Sequence, residues 1–159
     1  MTAALRKWPR YKDPDEMCSY YRVIDDLEKV IAQLNIDGSE PLAQFLVYFA
    51  CAEKLAASID GLARSIVPAQ VFRRGYRLDE TLIVAGCLKV GFTVASADVD
   101  HLFGKSLPSA KRLRDQFMHR PGPSHLQQIR SESPTLIPTM KTFLKGIGPA
   151  KVYARLNYP

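Results

Sequence analysis

The sequence has no run of about 18 apolar residues, the length that a helix needs to cross a membrane. No apolar stretch follows the cations of its first ten residues, as it would in a secretion signal. It also lacks a Cys-x-x-Cys pair, since Cys18, Cys51 and Cys87 stand far apart among apolar residues. This spacing argues against a metal or redox pair and favours reduced, buried thiols. We therefore expect a cytoplasmic protein with no membrane contact, no metal and no cofactor.

Internal repeats and low-complexity segments are also missing from the sequence. A chain of 159 residues, 47% of them hydrophobic, can bury one core but is too short for two ordinary domains. We expect one all-α domain over residues 14–147, built as a compact bundle of four to five helices. A basic N-terminal segment, 1–13, precedes it, and a C-terminal tail, 148–159, follows it.

Helical spacing of apolar residues, together with caps and breakers, places the individual elements. Asp13 can cap the first helix and Pro14 suits its first position, whereas the segment 67–77 has no period and forms a basic connection. Asp79 is expected to cap the third helix, and Gly104 to end a short helix. The predicted helices and helical turns cover residues 14–34, 41–59, 81–94, 98–103, 109–118, 124–130 and 138–147.

The net charge of +6 makes a polyanionic partner plausible, because Lys and Arg side chains attract phosphates. Within the basic connection, Arg73, Arg74 and Arg77 surround Tyr76. Cations mixed with an aromatic ring are typical of RNA-binding surfaces, although a solvated loop has the same composition. Charge alone does not separate these two interpretations.

The chemically most specific pattern is Arg114-Asp115-x-x-x-His119, inside the helix predicted at 109–118. Asp115 and His119 are four residues apart and share a helix face, so the carboxylate can orient the imidazole. Arg114 and His119 stand about 140° apart around the axis, and the long arginine closes part of that gap. Arg120 and His125 repeat the Arg–His spacing, but two prolines and a glycine between them forbid a continuous helix.

The Arg114-Asp115-x-x-x-His119 pattern resembles the motif of the HEPN superfamily, in which an arginine, a polar residue and a histidine stand at the same spacing in a basic helical domain. The resemblance implies a helical bundle that dimerises. It also implies a metal-independent endoribonuclease of the kind found in toxin–antitoxin, defence and RNA-processing systems, with a cognate antitoxin as a further partner. In the subgroup paired with nucleotidyltransferases a tyrosine often follows the histidine by two residues. Pro121 stands at that position here, which argues against this subgroup.

The implied chemistry suits these residue types. A ribose 2′-hydroxyl that attacks its neighbouring phosphate needs an acid–base group such as His119, and a guanidinium such as Arg114 meets the charge that develops on phosphate. Asp115 would orient the site. One histidine per chain leaves the leaving group without an acid, so a homodimer would complete the site. The expected RNA-binding residues are Lys111, Arg73, Arg74, Arg77 and Arg120.

Other interpretations stay open. The chain could be a non-catalytic module of the same fold that binds nucleotide, RNA or a protein, or a plain helical interaction protein in which the motif is accidental. In the last case His119 is a cation placed favourably against the helix dipole. Asp98, Asp100 and His101 offer a weaker metal hypothesis, because their spacing suits helix capping better.

Overall fold

The structure of the chain, a computed structural model, describes residues 6–7, 14–66, 71–72, 80–106, 108–120 and 122–157. These residues are mostly helical, which confirms the all-α class. The helices outnumber the four to five predicted. They are α1 (Pro14–Gln33), α2 (Pro41–Ile66), α3 (Glu80–Lys89), α4 (Ser96–Phe103), α5 (Ala110–His119), α6 (Ser124–Leu144) and α7 (Ile147–Asn157).

Two short strands lie outside the helices. β1 (Arg6–Lys7) pairs antiparallel with β2 (Val71–Phe72), with Arg6 opposite Phe72. The connection 67–77 was expected to have no strand, so β2 corrects that prediction. Its arginines, 73, 74 and 77, and the expected caps Asp13 and Asp79 lie outside the described residues.

Helix α2 is the centre of the bundle and packs against α1, α3, α5, α6 and α7. Its buried side chains include Phe45 and Phe49, whose rings stack with centroids 6.2 Å apart. The ring of Phe49 also lies 6.1 Å from that of Phe103 on α4. By length and composition the stretch Pro41–Leu62 could cross a membrane, and half of it is buried inside the protein. The central core helix of a globular protein can have the same length and composition.

Helix α3 ends five residues before the predicted end at Val94. The reason is a left-handed turn at Gly91, where φ is +91°. The Phe92 amide donates to the Cys87 carbonyl (3.0 Å), and the Gly91 amide donates to the Leu88 carbonyl (3.3 Å). This pair of bonds is the Schellman motif, which closes a helix by satisfying its last carbonyls.

Residues 124–144 form one helix, α6, whereas two shorter helices were predicted at 124–130 and 138–147. The prediction was wrong because it ended the first helix at Arg130 and began the second at Pro138, whereas Pro134 and Pro138 both lie inside α6. Both prolines are exposed and four residues apart, so the backbone bonds that they remove lie on the solvent face. The opposite face stays continuous, with Ile129 and Met140 fully buried.

The prediction of a C-terminal tail at 148–159 is also wrong for most of that segment, because α7 runs to Asn157. Ala150 and Ala154 are buried, and α7 packs against α1. Lys151 pairs with Asp25 of α1 at 2.8 Å and also contacts Glu28. The bundle therefore extends beyond residue 147.

Helices α4 and α5 lie close to their predicted positions, and Gly104 follows α4 as expected. Ser109 caps α5: its hydroxyl accepts from the Arg112 amide (3.3 Å) and donates to the Gly104 carbonyl (2.7 Å). Ala110 and Leu113 are buried, as predicted, and Phe117 is partly buried. This packing on α2, α4 and α6 fixes how α5 presents its polar residues.

Candidate functional site

All three residues of the Arg114-Asp115-x-x-x-His119 pattern lie on α5, and His119 is its last residue. The helix is regular from its serine cap to Arg120, whose amide donates to the Gln116 carbonyl (2.9 Å). The pattern is therefore carried by one rigid element. Pro121 lies outside the described residues.

Arg114 reaches from α5 to α2, where two side chains hold its guanidinium. Its Nη2 donates to Oε1 of Glu53 at 2.6 Å, and its Cζ lies 5.4 Å from the centroid of the Phe49 ring. Phe49 and Glu53 are four residues apart and so occupy one face of α2. The aromatic ring supports the cation through its π face while the carboxylate binds one edge. Arg114 is thus fixed in position, with 27% of its side chain still exposed.

Asp115 lies beside this pair and contacts two cations. One of its oxygens is 3.3 Å from Nη1 of Arg114, and the other is 3.4 Å from Nζ of Lys111. With Glu53, these residues form an alternating network of two cations and two anions, which we call the α2–α5 charge cluster (Glu53, Lys111, Arg114 and Asp115). Its formal charge is zero.

His119 stands apart from this cluster. Its side chain is exposed, and it makes no hydrogen bond or ion pair with any residue in the part of the chain that the structure describes. Asp115 was expected to orient the imidazole, but its carboxylate turns to Lys111 and Arg114 instead. Within one chain the structure therefore does not bring Arg114 and His119 together.

Two exposed arginines accompany His119. Arg120, one of the expected RNA-binding residues, follows His119 as the C-cap of α5. Arg112 was not among the predicted site residues. It precedes His119 by seven residues, so the side chains of Arg112 and His119 differ in direction by only about 20° around the helix axis. Arg112 has no side-chain partner among the described residues. Arg73, Arg74 and Arg77 were expected to add to this surface, but they lie outside those residues.

The sequence analysis also missed Glu53 and Phe49. The available signal was an acid, one of two on the mostly apolar helix α2, four residues after an aromatic ring. That pattern indicates a polar partner for the acid, because charged side chains on such a helix are seldom buried unless they are paired. It does not show which of the cations, 61 residues away in the case of Arg114, provides it.

A separate open cleft of about 350 Å³ lies where the α3–α4 connection meets the start of α7. Phe92, Asp98, Phe143 and Lys145 are among its lining residues, and none of the residues of the α2–α5 charge cluster lines it. Among the residues that the structure describes, no group of three or more His, Cys, Asp or Glu side chains is placed to hold a metal ion. The cleft and the cluster are thus distinct features of the fold.

Comparisons with protein-family models, with curated proteins and with solved structures returned no match for this chain.

Proposed function

We propose that this chain is a metal-independent endoribonuclease with an HEPN-like fold, acting as a homodimer, with His119 as its acid–base residue and Arg114 as its phosphate-binding cation. The observation that carries the proposal is that one short helix carries both an arginine held in place by its neighbours and an exposed histidine. Arg114 is held by Glu53 and Phe49, and His119 is open to solvent five residues later.

The fixed guanidinium favours catalysis of phosphoryl transfer. A cation that is already oriented costs little reorganisation when charge develops on the phosphate oxygens. A guanidinium has five N–H donors, and the contacts with Glu53 and Asp115 leave several of them for a substrate. With 27% of the Arg114 side chain exposed, an anion can reach it from solvent.

The exposed histidine favours acid–base work on an external substrate. An imidazole takes up and releases protons near neutral pH, and His119 has no internal partner in the described residues that would occupy it. Attack of a ribose 2′-hydroxyl on its phosphate needs both a base and an acid for the leaving oxygen. A second copy of α5 would supply the second imidazole, which is why the proposal includes a dimer.

The surface around His119 suits RNA. Arg112, in the first turn of α5, and Arg120, its C-cap, are both exposed, and neither pairs with an acid in the described part of the chain. Unpaired arginines attract a phosphate backbone irrespective of its sequence. The ribose 2′-hydroxyl then decides the substrate class, because DNA lacks the attacking group.

The test is cleavage of single-stranded RNA by purified protein in the presence of EDTA. Arg114→Ala and His119→Ala should each abolish cleavage, whereas His125→Ala, which removes the histidine of the second Arg–His spacing, should leave it intact. Cleavage that survives in His119→Ala would mean that the activity belongs to another site or to a contaminant.

One observation favours a second candidate, a non-catalytic helical module. Arg114 is neutralised by Glu53 and Asp115, as an arginine with a purely structural role would be. In that case Arg114→Ala destabilises the fold and no variant affects any RNA. Thermal unfolding of the same variants, measured beside the cleavage assay, separates the two candidates.

A further inference from the structure

We infer that Glu53 is an internal competitor at the phosphate site: its carboxylate occupies the edge of Arg114 that substrate RNA takes, and RNA displaces it. The inference rests on the proposed function, since it names a residue that controls substrate binding at the same site. It concerns Glu53, a residue that the motif itself does not contain.

The contact of Glu53 with Arg114 has the same chemistry as a contact with phosphate. Oε1 of Glu53 lies 2.6 Å from Nη2 of Arg114, the length of a charge-assisted hydrogen bond. A guanidinium presents the same planar edge to carboxylates and to phosphates, and both anions accept from it in the same way. Glu53 therefore imitates a phosphate oxygen at Arg114.

The ion pair of Arg114 and Glu53 is accessible to solvent. The side chains of Arg114 and Glu53 are 27% and 35% exposed, so the pair lies at the surface of the bundle. A carboxylate that leaves Arg114 here enters water instead of an apolar core. Exchange of one anion for another at this partly exposed position therefore costs little, because water and the incoming phosphate compensate for the lost contact.

The guanidinium of Arg114 is supported by contacts other than the one with Glu53. Phe49 is almost completely buried, and its ring faces Arg114 at 5.4 Å. This contact does not depend on Glu53. Asp115 also stays beside Nη1 at 3.3 Å. Arg114 thus keeps its position when Glu53 moves away, and its Nη2 edge becomes available to a phosphate.

Charge gives the sign of the effect. The α2–α5 charge cluster has a formal charge of zero, and loss of the Glu53 carboxylate leaves it at +1. The wild-type protein therefore binds RNA more weakly than a protein with the same Arg114 but without the Glu53 charge. Removing only the charge of Glu53 should strengthen binding, and the gain should require Arg114.

The experiment measures binding of a 2′-O-methyl RNA, which lacks the attacking hydroxyl and cannot be cleaved, by fluorescence anisotropy at fixed salt. Glu53→Gln should lower Kd about three- to tenfold, as expected for a local change of about 1 kcal/mol. The double variant Glu53→Gln/Arg114→Gln should bind no better than Arg114→Gln alone. Both results together support the inference.

The matched control is Glu40→Gln, because Glu40 forms a comparable pair with Arg130, with Oε1 and Nε 2.7 Å apart. It changes the net charge equally and breaks an arginine pair, so it should change Kd less than twofold. An equal gain in Glu40→Gln, a gain that persists without Arg114, or no gain in a folded Glu53→Gln protein would each overturn the inference. Far-UV circular dichroism establishes that the variants are folded.

The inference and the nuclease proposal fail in different ways. Cleavage of ordinary RNA by the wild type, without tighter binding in Glu53→Gln, overturns only the role of Glu53. Arg114-dependent tightening without any cleavage keeps that role and overturns the nuclease. If no variant binds RNA, both are overturned.

Discussion

Arg114 and His119 lie five residues apart on α5 but in opposite environments: the arginine is fastened to α2, and the histidine is exposed and has no partner among the described residues. Arg114 resists displacement because the Glu53 carboxylate and the Phe49 ring both contact its guanidinium. The free residue can adjust to whatever binds at the end of the helix. A phosphate site and a proton-transfer group have these respective requirements.

Arg112 should contribute to RNA binding although the motif does not include it. It shares a helix face with His119 and has no acidic partner in the described residues. Arg112→Gln should weaken RNA binding and reduce the slope of log K against log salt by about 1, because one phosphate contact is lost. Lys89→Gln, which removes an exposed cation from α3, is the control. Equal effects of both variants would show that only net charge matters.

Met118 should lie in the dimer interface that the proposed site requires. It is 59% exposed and immediately precedes His119. Met118→Glu should convert a dimer to a monomer in light scattering at micromolar concentration, because a charge there would be desolvated on association. Leu88→Glu is the control, since Leu88 is equally exposed, at 59%, on α3. A wild-type protein that is monomeric under these conditions contradicts the dimer, and a dimer that only Leu88→Glu dissociates places the interface elsewhere.

The contact between α1 and α7 should make stability depend on acidic pH. Hydrogen bonds from Lys151 and then Lys29 lower the pKa of Asp25 to about 2. Because an unfolded aspartate has a pKa of about 3.9, the stabilisation is complete above that pH and is lost as pH falls through about 2. Asp25→Asn should therefore lower the Tm at pH 7, with a difference that shrinks between pH 4 and pH 2.

Thermal unfolding followed by circular dichroism measures that difference. Asp26→Asn is the neighbouring control, because the Asp26 side chain is 73% exposed and, within the described part of the chain, forms an ion pair only with Lys29, at 3.5 Å. It should change the Tm little at any pH. A Tm difference for Asp25→Asn that is as large at pH 2 as at pH 7 would show that its cause is packing and not the charge.

The sequence predicts local features of this fold better than distant contacts. The start of α5 near Ser109 and its end near His119 depend on neighbouring residues, and both were predicted to within one residue. Helix α6 was predicted as two shorter helices, because whether Pro134 and Pro138 interrupt a helix depends on which face is buried. The contact of Glu53 with Arg114 depends on how α2 and α5 pack, and no local pattern contains that information.

The most direct test of the central claim follows the products of a single-stranded RNA incubated with the protein in EDTA. The account predicts that mass spectrometry finds fragments ending in a 2′,3′-cyclic phosphate, because the ribose 2′-hydroxyl is the nucleophile. An RNA with 2′-deoxyribose at the cleaved position should resist cleavage there, and His119→Ala should yield no product from either RNA. Cleavage of the 2′-deoxy position, or of the normal RNA by His119→Ala, would contradict the account.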